Sequence, residues 1–216
     1  MKVDERPDVP ESALPDLEKV MGKNLDPENR TTEKDCRICG AYMASQHEVH
    51  AEMVMGLTKP GGEIIAGLTA DVMHLLHMAI GISGEVAEIV GALTRENLVE
   101  EFGDLLFYIE GILSKTGEMV PYDEPCRAVD ETWMIVQAGK ILDIVKKRVI
   151  YGKPLDTKAL RAETLALREM AICNMDMSKI SVAEVLEHNH KKLGKRYEGH
   201  KYSDKAAQER ADKAEA

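Results

Sequence analysis

At 216 residues the chain is long enough to bury one core, and its formal charge of −10 argues against broad nucleic-acid or membrane-surface binding, which needs a basic face. Aromatic residues make up only 4% while Ala, Leu, Ile, Val, Met, Glu and Lys are plentiful, a composition that favours helices. No apolar run approaches the ~20 residues of a bilayer span, and the acidic, Pro-bearing start MKVDERPDVPE is unlike a signal peptide, so a cytoplasmic location is expected.

Residues 1 to about 34, rich in Pro, Asp, Glu and Asn, read as an extended arm. Cys36 and Cys39 follow as a CxxC, with His47 and His50 close behind. Four N/S ligands can make a zinc site, but the Cys-to-His interval is short for a finger, and exposed histidines beside reduced thiols are the plainer reading. With Cys126 and Cys173 the cysteines are too scattered for a disulfide framework and suit a reducing compartment.

A Gly/Pro-bearing connection at 56–68 leads to Thr69, a candidate cap for a helix over about 69–93. Gly81 and Gly84 offer places for a kink in it. A second helix is expected over 97–116, a third over 128–150 carrying Val129, Trp133, Val136, Ile141, Ile144 and Val145 at helical spacing, and a fourth over 156–175 capped by Asp156. A fifth over 181–197 opens with Ser181 and Glu184 as a capping box. The expected division is an N-terminal extension to residue 66, a helical domain over 67–202 and a polar tail over 203–216.

The chemistry concentrates in the first two helices. Glu85 with Glu88, and Glu101 with Asp104, are spaced i, i+3, so each pair shares a helix face. Ile82, Ile89 and Ala92 fall on the first stripe, Leu98, Leu105 and Tyr108 on the second, so the acids interrupt apolar stripes. Single ExxE pairs usually lie on solvated faces; two pairs on consecutive apolar faces, flanked by Gly84 and Gly103, are harder to reach by chance. Acids so placed need neutralising, no Lys or Arg lies within either stripe, and Mg²⁺ held by carboxylates together with substrate phosphates is the economical solution.

The run GEVAE, twelve residues, then EFGD resembles the ExxE–ExxD motif of the MazG-like, all-α nucleoside triphosphate pyrophosphohydrolases. His77 to Gly81 ahead of it, Tyr108 after it, and Asn189–Tyr197, which is similar to an N-x-x-K-L-x-x-R-Y run, carry the same resemblance, as does the tail with Ser203, Ala207 and Arg210. Lys140-x-x-Asp143 and Glu163-x-x-Ala166 stand in the second half where the four acids stand in the first. The fold expected is therefore an all-α helical bundle of MazG-like type, a tandem of one active unit (about 69–120) and one degenerate unit (about 128–200).

The resemblance implies Mg²⁺-dependent hydrolysis of (deoxy)nucleoside triphosphates to monophosphate and pyrophosphate, with Mn²⁺ as an alternative ion. Glu85, Glu88, Glu101 and Asp104 would be the metal ligands, and Glu85 or Glu88 the general base. Asn189, Lys192 and Arg196 would meet the phosphates, with Lys147 and Tyr151 as further candidates; Tyr108 could stack on base or ribose, and His77 could reach substrate. A nucleotide is the expected partner, with a homodimer compatible and neither membrane nor stable nucleic-acid binding expected. The competing readings are hydrolysis of phosphoribosyl-ATP or an alarmone, and a non-enzymatic helical interaction module.

Overall fold

The structure, a computed structural model, describes residues 47, 49–118, 121–122 and 131–209. The chain divides into two compact units, Met1–Thr58 and Lys59–Ala216. In the first, residues 49–57 are helical, and His47 and His50 are exposed; Cys36 and Cys39, hence the zinc expectation, lie outside the described residues.

Among the described residues the second unit is helical throughout, without strands: α1 (Gly61–Ala66), α2 (Ala70–Gly91), α3 (Arg95–Thr116), α4 (Glu131–Tyr151), α5 (Thr157–Met177), α6 (Val182–Arg196) and α7 (Asp204–Glu209), with a 3₁₀ turn at Glu198–His200. It starts eight residues before the expected domain limit, taking in α1.

The expected starts at Thr69, Asp156 and Ser181 hold because the capping chemistry is local, whereas α3 starts at Arg95, two residues before the expected 97, with Thr94 as its cap. Thr69 accepts from Val72 N, Thr94 from Asn97 N, Asp156 from Ala159 N and Ser181 from Glu184 N, each satisfying an amide that has no partner inside its helix. Half of the expected capping box forms: the Glu184 carboxylate turns instead to Arg95, at 2.6 and 2.8 Å. α2 runs unbroken through Gly81 and Gly84.

Four long helices close a ring. α2 packs on α3 and α4, and α5 packs on the same two. The three-residue link at 92–94 makes α2 and α3 antiparallel. Arg161 reaching Leu113 O, and Arg168 reaching Glu110, set α5 antiparallel to α3. Gln137 to Glu163, and Asn174 to Met134, set α4 antiparallel to α5. α4 therefore also opposes α2, and all neighbours in the ring run in opposite directions. The core inside is apolar, with Ile82, Val86, Phe102, Leu105, Ile109, Met134, Ile141, Leu160 and Leu167 almost fully buried. α2 is long and apolar enough by length and composition to cross a bilayer, but seven of its residues face this core. Burying such side chains stabilises a fold by about 1.5–3 kcal/mol each.

α6 lies along α3 outside the ring, in the same direction. Glu184 meets Arg95 near the start of both helices, and Lys192 meets Asp104 two turns on. This fifth helix brings a cation to the acidic stripe.

Candidate metal centre

The turn between α2 and α3 folds the two acidic pairs face to face. Carboxylate oxygens of Glu85, Glu88 and Glu101 all lie within 4.8 Å of one another. Glu85 and Glu101 are half-buried and Glu88 is exposed at the rim, which corrects the expectation that all four acids point inward. Glu88 and Glu101 also line an open depression of about 390 Å³ with Gly91, Ala92, Leu93 and Asn97.

Electrostatics follow from the crowding. Burial, then the neighbouring charges of Asp104, Glu88 and Glu101, push the Glu85 carboxyl up to about 8, only partly offset by Lys192. Burial with Glu88, Glu100 and Asp104 raises Glu101 in the same direction. Both shifts favour the protonated carboxyl, which a divalent cation would oppose.

Asp104 has a different environment. Its Oδ1 accepts from Asn189 Nδ2 at 2.8 Å, and its Oδ2 from Lys192 Nζ at 2.5 Å. Lys192 is buried and also pairs with Glu100 at 3.1 Å. The absence of Lys or Arg from the acidic stripes thus does not leave them without a cation: α6 supplies one to Asp104. Three of the four expected ligands meet one another, and the fourth is held by α6. Glu100, absent from the expected site, shares a face with Asp104 at i, i+4; its spacing was readable, its partner was not.

Gly103 allows this docking, since a Cβ there would stand 3.0 Å from the Asn189 Cβ. Gly81 plays a similar part: Tyr108 lies against its bare backbone, where any Cβ would overlap the ring. Gly84, expected to pack beside the first acids, has nothing within 4 Å of its Cβ position and does not serve that role.

Tyr108 is half-buried beside the cluster. Burial and the charges of Glu85 and Asp104 raise its hydroxyl pKa, and Arg196 opposes them. His77 is exposed and meets the Tyr108 ring edge-on at 5.8 Å. The histidine satisfied within the bundle is His74, whose Nε2 lies 2.9 Å from Gly111 O.

Lys147 and Tyr151 are not brought to the acids. They end α4, and the turn that follows leads into Arg161, which contacts Leu113 O and Glu118 O at the far end of α3. From Glu101 to Leu113 the helix rises about 18 Å. Lys147 instead pairs with Asp143 at 2.7 Å.

The burial pattern of α5 follows that of α3. Buried Phe102, Leu105, Leu106, Ile109 and Leu113 of α3 are matched, 62 positions on, by buried Thr164, Leu167, Arg168, Ala171 and Met175 of α5. The same shift carries Glu101 to Glu163, which meets Lys140 at 3.6 Å and accepts from buried Gln137. At the place corresponding to the acidic cluster, α4 and α5 thus carry a charge-neutral pair.

No protein-family model, curated protein or solved structure matches this sequence.

Proposed function

We propose that this chain hydrolyses nucleoside triphosphates between the α and β phosphates, releasing a monophosphate and pyrophosphate in a Mg²⁺-dependent reaction. The observation that carries the reading is the convergence of Glu85, Glu88 and Glu101 oxygens within 4.8 Å, with the Glu85 carboxyl pushed up to about 8. Oxygen-only donors with mutual repulsion are the set a hard divalent cation takes, and the resemblance of GEVAE and EFGD to the MazG-like motif agrees with that chemistry. These three residues would hold the ion, with Asp104 fixed beside them by Asn189 and Lys192. When bound, Mg²⁺ supplies neutralisation of the phosphate charge.

The chain's own groups do the rest. Glu88, exposed at the rim, or Glu85, deeper, would accept the proton of the attacking water at a carboxylate oxygen. On α6, Lys192 pairs with Asp104 and the Arg196 charge acts on the Tyr108 hydroxyl, so these two cations would meet phosphate oxygens held beside the acids. Tyr108, seated on Gly81, offers an aromatic face for base or ribose.

The test is a panel of ribo- and deoxyribonucleoside triphosphates, phosphoribosyl-ATP and an alarmone, each with Mg²⁺. Monophosphate with pyrophosphate from the triphosphates is expected. Diphosphate with orthophosphate, or no product from any member, would overturn the reading; turnover of the last two alone would move it to their hydrolysis.

A further inference from the structure

On the far side of α6 from the acids, the chain places two histidines together in a way the proposed hydrolysis does not use. Asn189 and Lys192 face α3, whereas His190 and Gly194 lie on the opposite face of the same helix. After α6 the chain reverses through the 3₁₀ turn, closed by His200 N donating to Tyr197 O at 3.0 Å. Both Gly199 (φ 62°) and His200 (φ 54°) take the left-handed conformation, which is uncommon for a residue with a side chain. The reversal lays the His200 ring over Gly194, where its Cε1 stands 3.6 Å from a Cβ position, and 5.7 Å from the His190 ring, centroid to centroid.

We propose that His190 and His200 form a two-imidazole chelate for a transition-metal dication such as Zn²⁺, Ni²⁺ or Cu²⁺. Imidazole is the common ligand for these ions, and a zinc ion held about 2 Å from one nitrogen of each ring sets the ring centroids about 5–6 Å apart. The planes are inclined at 38°, neither parallel nor perpendicular, so ring-on-ring packing is not what the arrangement optimises. Both rings are exposed, and among the described residues no protein hydrogen bond engages either one. The two ligands come from a helix and from the turn after it, so binding would fix the start of the C-terminal segment against α6. The site is independent of the acidic cluster, whose oxygen donors suit Mg²⁺.

Zinc chloride titrated into the chelator-treated full chain, in competition with a chromophoric indicator, counts the equivalents bound. His190→Ala and His200→Ala are each expected to lose one equivalent, or to bind it about tenfold or more weakly, because the second imidazole acts at high effective concentration. His188→Ala, an exposed histidine on another face of α6, is the control and should bind as the parent does. Zinc held elsewhere in the chain is common to all four proteins, and helical circular dichroism checks that each is folded. Substoichiometric Cu²⁺ should broaden the ring-proton resonances of His190 and His200. Unchanged equivalents and affinity in both variants, or broadening confined to other histidines, would overturn the proposal. Pyrophosphate release with Mg²⁺ should be the same in all four proteins, so the two readings fail separately.

Discussion

Lys192 of α6 reaches Asp104 of α3 at 2.5 Å, across 88 residues of sequence, and its side chain is 7% exposed. A buried ammonium is tolerated only while paired, and here Asp104 and Glu100 both pair with it. The contact therefore docks α6 and fixes one carboxylate beside the candidate metal centre.

Replacing Lys192 with Met strands Asp104 and Glu100 and should cost about 2 kcal/mol of stability. The shift in urea midpoint measures it. Adding Asp104→Asn should recover part of the loss, since coupled residues are not additive. An additive double variant would mean that the pair contributes no coupling.

Two glycines of α2 should respond in opposite directions. Ala at position 81 would overlap the Tyr108 ring, and overpacking of this kind costs about 1–3 kcal/mol. Ala at position 84 meets nothing, so its better helix propensity should stabilise by up to about 1 kcal/mol. Thermal melting of Gly81→Ala and Gly84→Ala compares them directly.

What could be read in the sequence was local. Helix starts at Thr69, Asp156 and Ser181 were visible because a capping side chain sits three residues from the amide that it satisfies. The acidic pairs were visible because i, i+3 spacing fixes a helix face. Pairings between helices were not: nothing in the spacing of Glu100 or Asp104 says that Lys192 lies against them. Nor does a glycine reveal whether a ring or open solvent faces it, which separates Gly81 from Gly84. Lys147 and Tyr151 are candidates through the resemblance alone, and only the antiparallel ring places them at the other end of the bundle.

That placement separates the cations functionally. Lys147→Ala should leave pyrophosphate release within about twofold of the parent, while Arg196→Ala, which removes a charge that acts on Tyr108, should lower kcat/KM by about tenfold or more. Steady-state kinetics with the best nucleotide decide it, and equal losses would place Lys147 at the reacting phosphates through some other contact.

The Glu85 carboxyl, pushed up to about 8 by burial and by Asp104, Glu88 and Glu101, links stability to pH in a definite direction. A group protonated more readily in the folded chain than in the unfolded one stabilises the fold below its ordinary value of 4.5, and this stabilisation is lost as pH rises through about 8. Without divalent ions the melting temperature should therefore fall between pH 5 and pH 8, with Glu101 adding to the fall. Glu85→Gln has no proton to lose and should flatten most of the slope. Mg²⁺ at millimolar concentration should restore the melting temperature at pH 8, since an ion that binds only the folded chain stabilises it by mass action. Glu101→Gln, which removes one of the three converging carboxylates, should abolish that rise and pyrophosphate release together. A parent melting curve that neither falls with pH nor rises with Mg²⁺ would mean that the three acids do not share one site in solution.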